Sequence, residues 1–190
     1  MTMEESGSEQ GHPERIRGFS RRTIHRGVKF GLEMVGWMNG RGETVEREVV
    51  RHLGSVVVLP LLDDGRVVMI RNFRVSVERE LLELPAGTRE PGEEPGVCAV
   101  RELEEETGYT AATMEILCRF HLSPGMTDER MHGFVARGLR PSVQRLEIDE
   151  AIRPTIMSIP EVLGRMDSGE IEDAKTIAVV LLAVRKGVLR

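Results

Sequence analysis

Residues 84–109, "LPAGTREPGEEPGVCAVRELEEETGY", hold seven glutamates in 26 positions, and four of them (Glu102, Glu104, Glu105 and Glu106) fall within five residues. Glu93 and Glu94 precede Pro95, and carboxylates followed by a first-turn proline favour the start of a helix. Gly108 suits the left-handed residue that ends one. The spacing predicts a helix from about Pro95 to Thr107, with Ala99, Val100 and Leu103 as the apolar stripe that faces a sheet. Glu102, Glu105 and Glu106 stand three and four apart, so they project from one face, where each like-charge pair costs roughly a few tenths of a kcal/mol. Glu104 points about 100° away from its sequence neighbours. A solvated acidic face is the ordinary explanation of such a run. A hard divalent cation is the other, because Mg²⁺ takes oxygen ligands and commonly joins carboxylates to substrate phosphates.

On either side of this segment the pattern is mostly that of strands. "SVVVLPLL" (55–62) reads as a buried strand and "VVMIRNF" (67–73) as its return after the hairpin turn "DDGR". "ELLELPAG" is a short strand that ends at Pro85 and Gly87. "ATMEILCRFHL" and "MHGFVARGL" are two more, separated by the loop "SPGMTDER", and "PTIMSIP" is another. Ser158 and Glu161 have capping-box spacing, which predicts a short helix to about Asp167. A last helix is expected over about 172–186, stopped by Gly187. Upstream, "TVEREVV" puts Val45 and Val49 on one side of a half-exposed strand. The expected organisation is a polar, disordered tail over 1–14, a small antiparallel strand appendage over 15–52, and a main domain over 53–190. Strands in hairpins with few helices, rather than strict βαβ alternation, indicate an α+β class.

Composition bounds the function. The 190 residues suffice for one domain with a real core. A net charge of −5 argues against general binding to nucleic acid or acidic membrane. The longest apolar run, "IAVVLLAV" (177–184), is too short to span a bilayer. Two cysteines, Cys98 and Cys118, make no disulfide framework, and the N-terminus shows no secretory signal. A cytoplasmic location with no nucleic-acid or membrane partner is expected.

The spacing of the whole segment is more specific than its charge. Gly87, then Glu93 after five residues, then Arg101-Glu102 after seven, then Leu103, Glu105-Glu106, Gly108 and Tyr109 match G-x5-E-x7-R-E-U-x-E-E-x-G-U at every fixed position. This is the Nudix box, and the segment resembles the loop-helix-loop of Nudix hydrolases, which cleave a nucleoside diphosphate linked to another group. The resemblance implies an α-β-α sandwich with a mixed sheet, and a helix that carries Mg²⁺, or Mn²⁺ in its place. It also implies Glu102, Glu105, Glu106 and the carbonyl of Ala86 as metal ligands. Arg101 would orient the glutamates, and Glu93 would be a structural partner for the loop or helix.

The flanks resemble the ADP-ribose pyrophosphatase group over roughly residues 45–186. "RNFR" (71–74) and "LELPAG" precede the box, Pro124 stands fifteen residues past Tyr109, and "SPGMTDE" ends at Glu129. Asn72, Val75 and Cys98 depart from residues frequent in that group. Arg74 is expected on pyrophosphate oxygens, since a guanidinium binds them bidentately; Arg71 is a further substrate candidate. Glu83 is expected on a ribose hydroxyl, or else paired with a neighbouring arginine. Glu129 is a further substrate contact, and Trp37 is expected either to stack on the base or to pack internally. The acidic stretch "LEIDEA" offers Glu147 or Glu150 as general base, ahead of Glu105. The implied reaction is hydrolysis of ADP-ribose or a related nucleoside diphosphate sugar to a nucleoside monophosphate and a sugar phosphate. GDP-mannose or another nucleotide sugar is the alternative substrate. A non-catalytic ADP-ribose-binding regulator is the alternative class, disfavoured by the intact box. The N-terminal strands imply a homodimer.

Overall fold

The computed structural model of the chain describes residues 16–148 and 150–189. The tail expected over 1–14 lies outside them. The chain divides into two compact units, the first ending at Arg51 and the second beginning at His52. In the first, β1 (Arg17–Arg26), β2 (Phe30–Met38) and β3 (Thr44–His52) form a three-stranded sheet in that order, with β1 and β2 antiparallel. Asn39 shapes the turn between β2 and β3: its side-chain oxygen accepts from the backbone N–H of Arg41 at 2.9 Å and of Glu43 at 3.0 Å. This is the local bonding that makes asparagine a turn residue. Along β3, Val45 and Val49 are half-buried while Glu46 and Glu48 are exposed.

The second unit contains β4 (Ser55–Pro60), β5 (Val67–Arg74), β6 (Arg79–Glu83), β7 (Ala86–Thr88), α1 (Pro95–Thr107), β8 (Tyr109–Thr110), β9 (Thr113–His121), β10 (Arg130–Arg137), β11 (Arg140–Pro141), β12 (Ile152–Met157), α2 (Ile159–Asp167) and α3 (Ala174–Arg185). One sheet has the order β7-β4-β10-β9, with β4 parallel to β10 and the other pairs antiparallel. A second has the antiparallel order β12-β5-β6, and β11 pairs with β8. The expected hairpin from β4 to β5 forms only at its tip. Gly65 takes a φ of 83° in the turn, and a single bridge joins Leu61 to Val67. Beyond that bridge β5 leaves β4, because both its edges are taken by β12 and β6.

β4 is buried along its whole length, and its alternate side chains enter two different cores. Val56 and Val58 pack with Cys98, Ala99 and Leu103 of α1 and with Phe134 and Ala136 of β10. Val57 and Leu59 pack with Val162 of α2 and Val179, Val180 and Ala183 of α3. Helices therefore cover both faces of a mixed sheet, the α-β-α sandwich of α+β class that the sequence implied. Among the described residues no helix is long and apolar enough to cross a membrane.

The face of α1 differs from the expected stripe. Val100 is 48% exposed, and the buried residues are Cys98, Ala99, Glu102, Leu103, Glu106 and Thr107. The helix is turned so that two glutamates share its inner face with the apolar residues. Both ends form as expected: Pro95 sits in the first turn, and Gly108 stops the helix at φ 69°. The capping box of Ser158 and Glu161 on α2 is also formed. Leu103→Ala should therefore cost about 3 kcal/mol in urea unfolding, as buried leucine truncations do, and Val100→Ala no more than about 0.5 kcal/mol. The reverse ranking would contradict this rotation of α1.

Candidate active site

The glutamates of α1 meet the strand in front of them at close quarters. Glu106 is 2% exposed, and its Oε2 accepts the backbone N–H of Ala86 at 2.8 Å. Glu102 is 7% exposed, and its carboxylate lies against the α-carbon of Gly87. A β-carbon at position 87 would stand 2.0 Å from that carboxylate, so only glycine fits. Burial pushes the Glu102 carboxyl up to about 7 and the Glu106 carboxyl up to about 8, and repulsion between neighbouring carboxylates adds to both.

Arg101 organises the solvent side of this cluster. Its Nη1 donates to Glu102 at 2.7 Å and to Glu105 at 2.9 Å, and its Nε donates to Glu93 at 3.0 Å. Glu93 also accepts the backbone N–H of Glu90 at 2.9 Å. The Arg101 guanidinium holds the Glu93 carboxyl down to about 2, and Arg101 is itself pushed above its usual range, chiefly by Glu93. Cys98 is buried and its thiol is pushed up by burial, as befits a packing residue rather than a nucleophile.

Ala86, Gly87 and Thr88 also line a cleft of about 330 Å³. Arg74 and Glu83 line it as well. Arg74 donates to Glu83 through Nε at 2.8 Å and through Nη2 at 2.6 Å. Glu83 raises the pKa of Arg74 first of all, and the charge of Glu106 raises it further, so the cationic wall and the box sense each other. Leu122 and Glu129, which flank the "SPGMTD" loop, complete the rim. Glu129 accepts from the Ser55 hydroxyl at 2.8 Å.

The other expected residues have these surroundings. Glu83 is fully buried with both oxygens bonded, so it grips Arg74 instead of presenting a free carboxylate to a ribose. Arg71 lies on the opposite face of β5 from Arg74, since side chains alternate along a strand; it pairs with Glu80 and Glu170. Trp37 belongs to the first unit, half-buried, with the Arg47 guanidinium 5.8 Å from its ring centroid. Glu147 is exposed and Glu150 half-buried, and the backbone N–H of Glu147 donates to Glu150 at 2.9 Å. The charge of Glu150 adds to the rise in the pKa of both Glu102 and Glu106. Asp149, between them, lies outside the described residues.

Glu104, and residues that the sequence does not single out, also have bonds around the site. Glu104 accepts from the Ser142 hydroxyl at 2.5 Å and from Arg145 at 3.2 Å. Gln144 donates to the Glu106 carbonyl at 2.7 Å. These bonds tie the segment leading to Glu147 and Glu150 onto α1. Lys175 of α3 donates to Glu83 at 2.6 Å.

The donor set fits a hard divalent cation: all three α1 side chains offer carboxylate oxygens, and two of them are buried with too little positive charge to hold them ionised. Among the described residues no three His, Cys, Asp or Glu side chains converge closely enough to grip an ion as they stand. The reason is visible in the bonds, since Arg101 bridges two of the carboxylates and Ala86 holds an oxygen of the third.

Sandwich, box and cleft together define a class. The NUDIX domain matches residues 51–180, and the chain belongs to that family. It is 42% identical over 137 residues to the ADP-ribose pyrophosphatase of Bacillus subtilis (strain 168), covering 71% of this chain and 74% of that one. It is 40% identical over 157 residues to a methanol dehydrogenase activator of Bacillus methanolicus, covering 82% and 84%. A crystal structure of an ADP compounds hydrolase shares the fold, with a TM-score of 0.77 at 22% identity over 90% of this chain and 95% of that one.

The raised carboxyls make a pH prediction. A group whose folded pKa lies above its unfolded value contributes stability that is full below the unfolded value, near 4.5, and is lost as pH rises through 7 to 8. The metal-free protein should therefore melt at a lower temperature at pH 9 than at pH 6, and saturating Mg²⁺ should remove most of that difference. Calorimetry in buffers of different ionisation enthalpy should show release of roughly one proton per ion at pH 7 and almost none at pH 9. A melting temperature independent of pH over this range would contradict the burial argument.

Proposed function

We propose that the protein is a Mg²⁺-dependent pyrophosphatase that hydrolyses ADP-ribose, or a closely related nucleoside diphosphate sugar, to AMP and a sugar phosphate. The observation that carries the reading is the strand Ala86–Thr88, which meets the Glu102 and Glu106 carboxylates of α1 and also lines a cleft bearing Arg74. The cleft volume suits a small-molecule ligand. The name of the Bacillus subtilis relative supports ADP-ribose as the substrate to test first.

Glu102, Glu105 and Glu106, with the carbonyl of Ala86, would hold Mg²⁺, or Mn²⁺ in its place. Bound there, the ion supplies charge neutralisation of the pyrophosphate and a lowered pKa for water. Arg101 keeps Glu102 and Glu105 aimed by charge-assisted bonds and is itself braced by Glu93. Arg74 binds pyrophosphate oxygens in the cleft. Two of its five N–H groups are held by Glu83, which leaves three for substrate. Glu150 takes the proton from the attacking water; its charge already bears on Glu102 and Glu106, which favours it over Glu147. Glu129 contacts the substrate at the rim. The chain acts in the cytoplasm, in keeping with two free cysteines. It forms a homodimer through the first unit, whose β1 and following turn expose Phe19, Ile24 and Val28.

Incubation with ADP-ribose, GDP-mannose and other nucleotide sugars in Mg²⁺, with phosphatase-coupled phosphate release, tests the reading. ADP-ribose should be the preferred substrate. Glu106→Gln and Glu150→Gln should each lower kcat at least about 100-fold, the scale of losing a general base or its electrostatic partner, while Glu147→Gln stays near wild type. Near-normal turnover of Glu106→Gln in saturating Mg²⁺ would sink the metal assignment.

A further inference from the structure

The inner wall of the cleft contains a chain of buried charges that no position of the box supplies. Lys175, the second residue of α3, is 7% exposed and lines the cleft. Its ammonium donates to Glu83 Oε2 at 2.6 Å and lies 2.9 Å from Asp173 Oδ1. Asp173 is fixed in turn as the cap of α3, where its Oδ2 accepts the Thr176 N–H at 2.9 Å and the Thr176 hydroxyl at 2.5 Å. The Thr176 hydroxyl oxygen accepts the backbone N–H of Leu84, next to Glu83, at 2.8 Å. Helix α3 is thus bonded to the end of β6 twice over, and Glu83 passes that anchorage on to Arg74 on β5.

We propose that Lys175 is a positioning residue for substrate: it clamps the buried Glu83 carboxylate from behind, so that Arg74 is held in the plane that presents its remaining N–H donors to the pyrophosphate. The proposal rests on the reading of this cleft as the nucleoside diphosphate sugar site. A carboxylate at the end of a flexible stem has a broad terminal torsion. Three charge-assisted donors on two oxygens remove that freedom, and the two-point grip on the guanidinium fixes its plane as well as its place. Direct binding of phosphate by Lys175 is the weaker use of the same atoms. Its ammonium already faces two carboxylates within 3 Å, and little of its side chain reaches solvent.

The test uses Lys175→Met, which keeps the length of the stem without its charge, Lys175→Gln as a milder variant should the first fail to fold, and Lys175→Arg. Without the charge, KM for the nucleoside diphosphate sugar that the wild type cleaves should rise about tenfold with kcat within about threefold, the signature of lost ground-state binding. Lys175→Arg should recover most of the loss. The double variant Arg74→Ala/Lys175→Met should be no worse in KM than Arg74→Ala alone, because residues that act through one another are not additive. An unchanged KM, or a double loss equal to the product of the single ones, overturns the proposal. Solvent exchange of the Arg74 Nε–H, followed by NMR without substrate, reads the clamp independently of turnover. It should be slow in the wild type and Lys175→Arg and faster in the uncharged variants; equal rates overturn the proposal. If the wild type cleaves no nucleoside diphosphate sugar, the functional reading fails, while the exchange rates still decide whether Lys175 holds Arg74.

Discussion

Two carboxylates, Glu102 and Glu106, are buried on the inner face of α1, and much of the surrounding structure can be understood as what makes that burial tolerable. An unpaired buried carboxylate is strongly disfavoured. Here one is met by the N–H of Ala86 and the other by Arg101. Gly87 is the space into which the Glu102 carboxylate fits. Glu93 neutralises the far side of Arg101, so the guanidinium is shared among three acids instead of collapsing onto one. The fixed positions of the box are therefore one electrostatic unit, in which each residue type answers a need created by another.

The same unit explains the orientation of α1. Apolar periodicity alone would turn Val100 inward. The helix instead turns Cys98, Ala99 and Leu103 to the sheet together with the two glutamates, and Val100 faces solvent. The proposed metal chemistry and the packing of the sandwich share a single helix face, and the acids displace one valine from it. Acidic residues on the inner face are a stability penalty unless a cation arrives, which is the reason for reading them as a site.

What was legible in the sequence follows from how local each signal is. The extent of α1, its proline start and glycine stop, and the capping box of α2 depend on neighbours within a few residues, and the chain adopts them. The box carries seven fixed identities at fixed offsets, so the class of protein could be read from it. The partners of Arg74 were less legible. Glu83 lies nine residues from Arg74, so a pairing with a neighbouring arginine is open to the sequence, but Lys175 lies 92 residues beyond Glu83, on a helix whose sequence is dominated by an apolar run. Helix geometry turns Glu104 away from its neighbours. It does face away, and there it meets Ser142 and Arg145, some 40 residues on, tying down the segment that leads to Glu150. Arg71 shares the stretch "RNFR" with Arg74, and strand alternation puts the two on opposite faces.

The central claim is that Glu102, Glu105 and Glu106 are gathered to share a divalent cation, with Arg101 as the cation that bridges two of them otherwise. Anomalous diffraction from crystals soaked in Mn²⁺ tests this most directly. The account predicts a manganese peak within bonding distance of carboxylate oxygens from all three glutamates, with Arg101 drawn off Glu102 or Glu105 toward Glu93. A peak at some other cluster, or no peak with Arg101 still bridging Glu102 and Glu105 in saturating Mn²⁺, would contradict it.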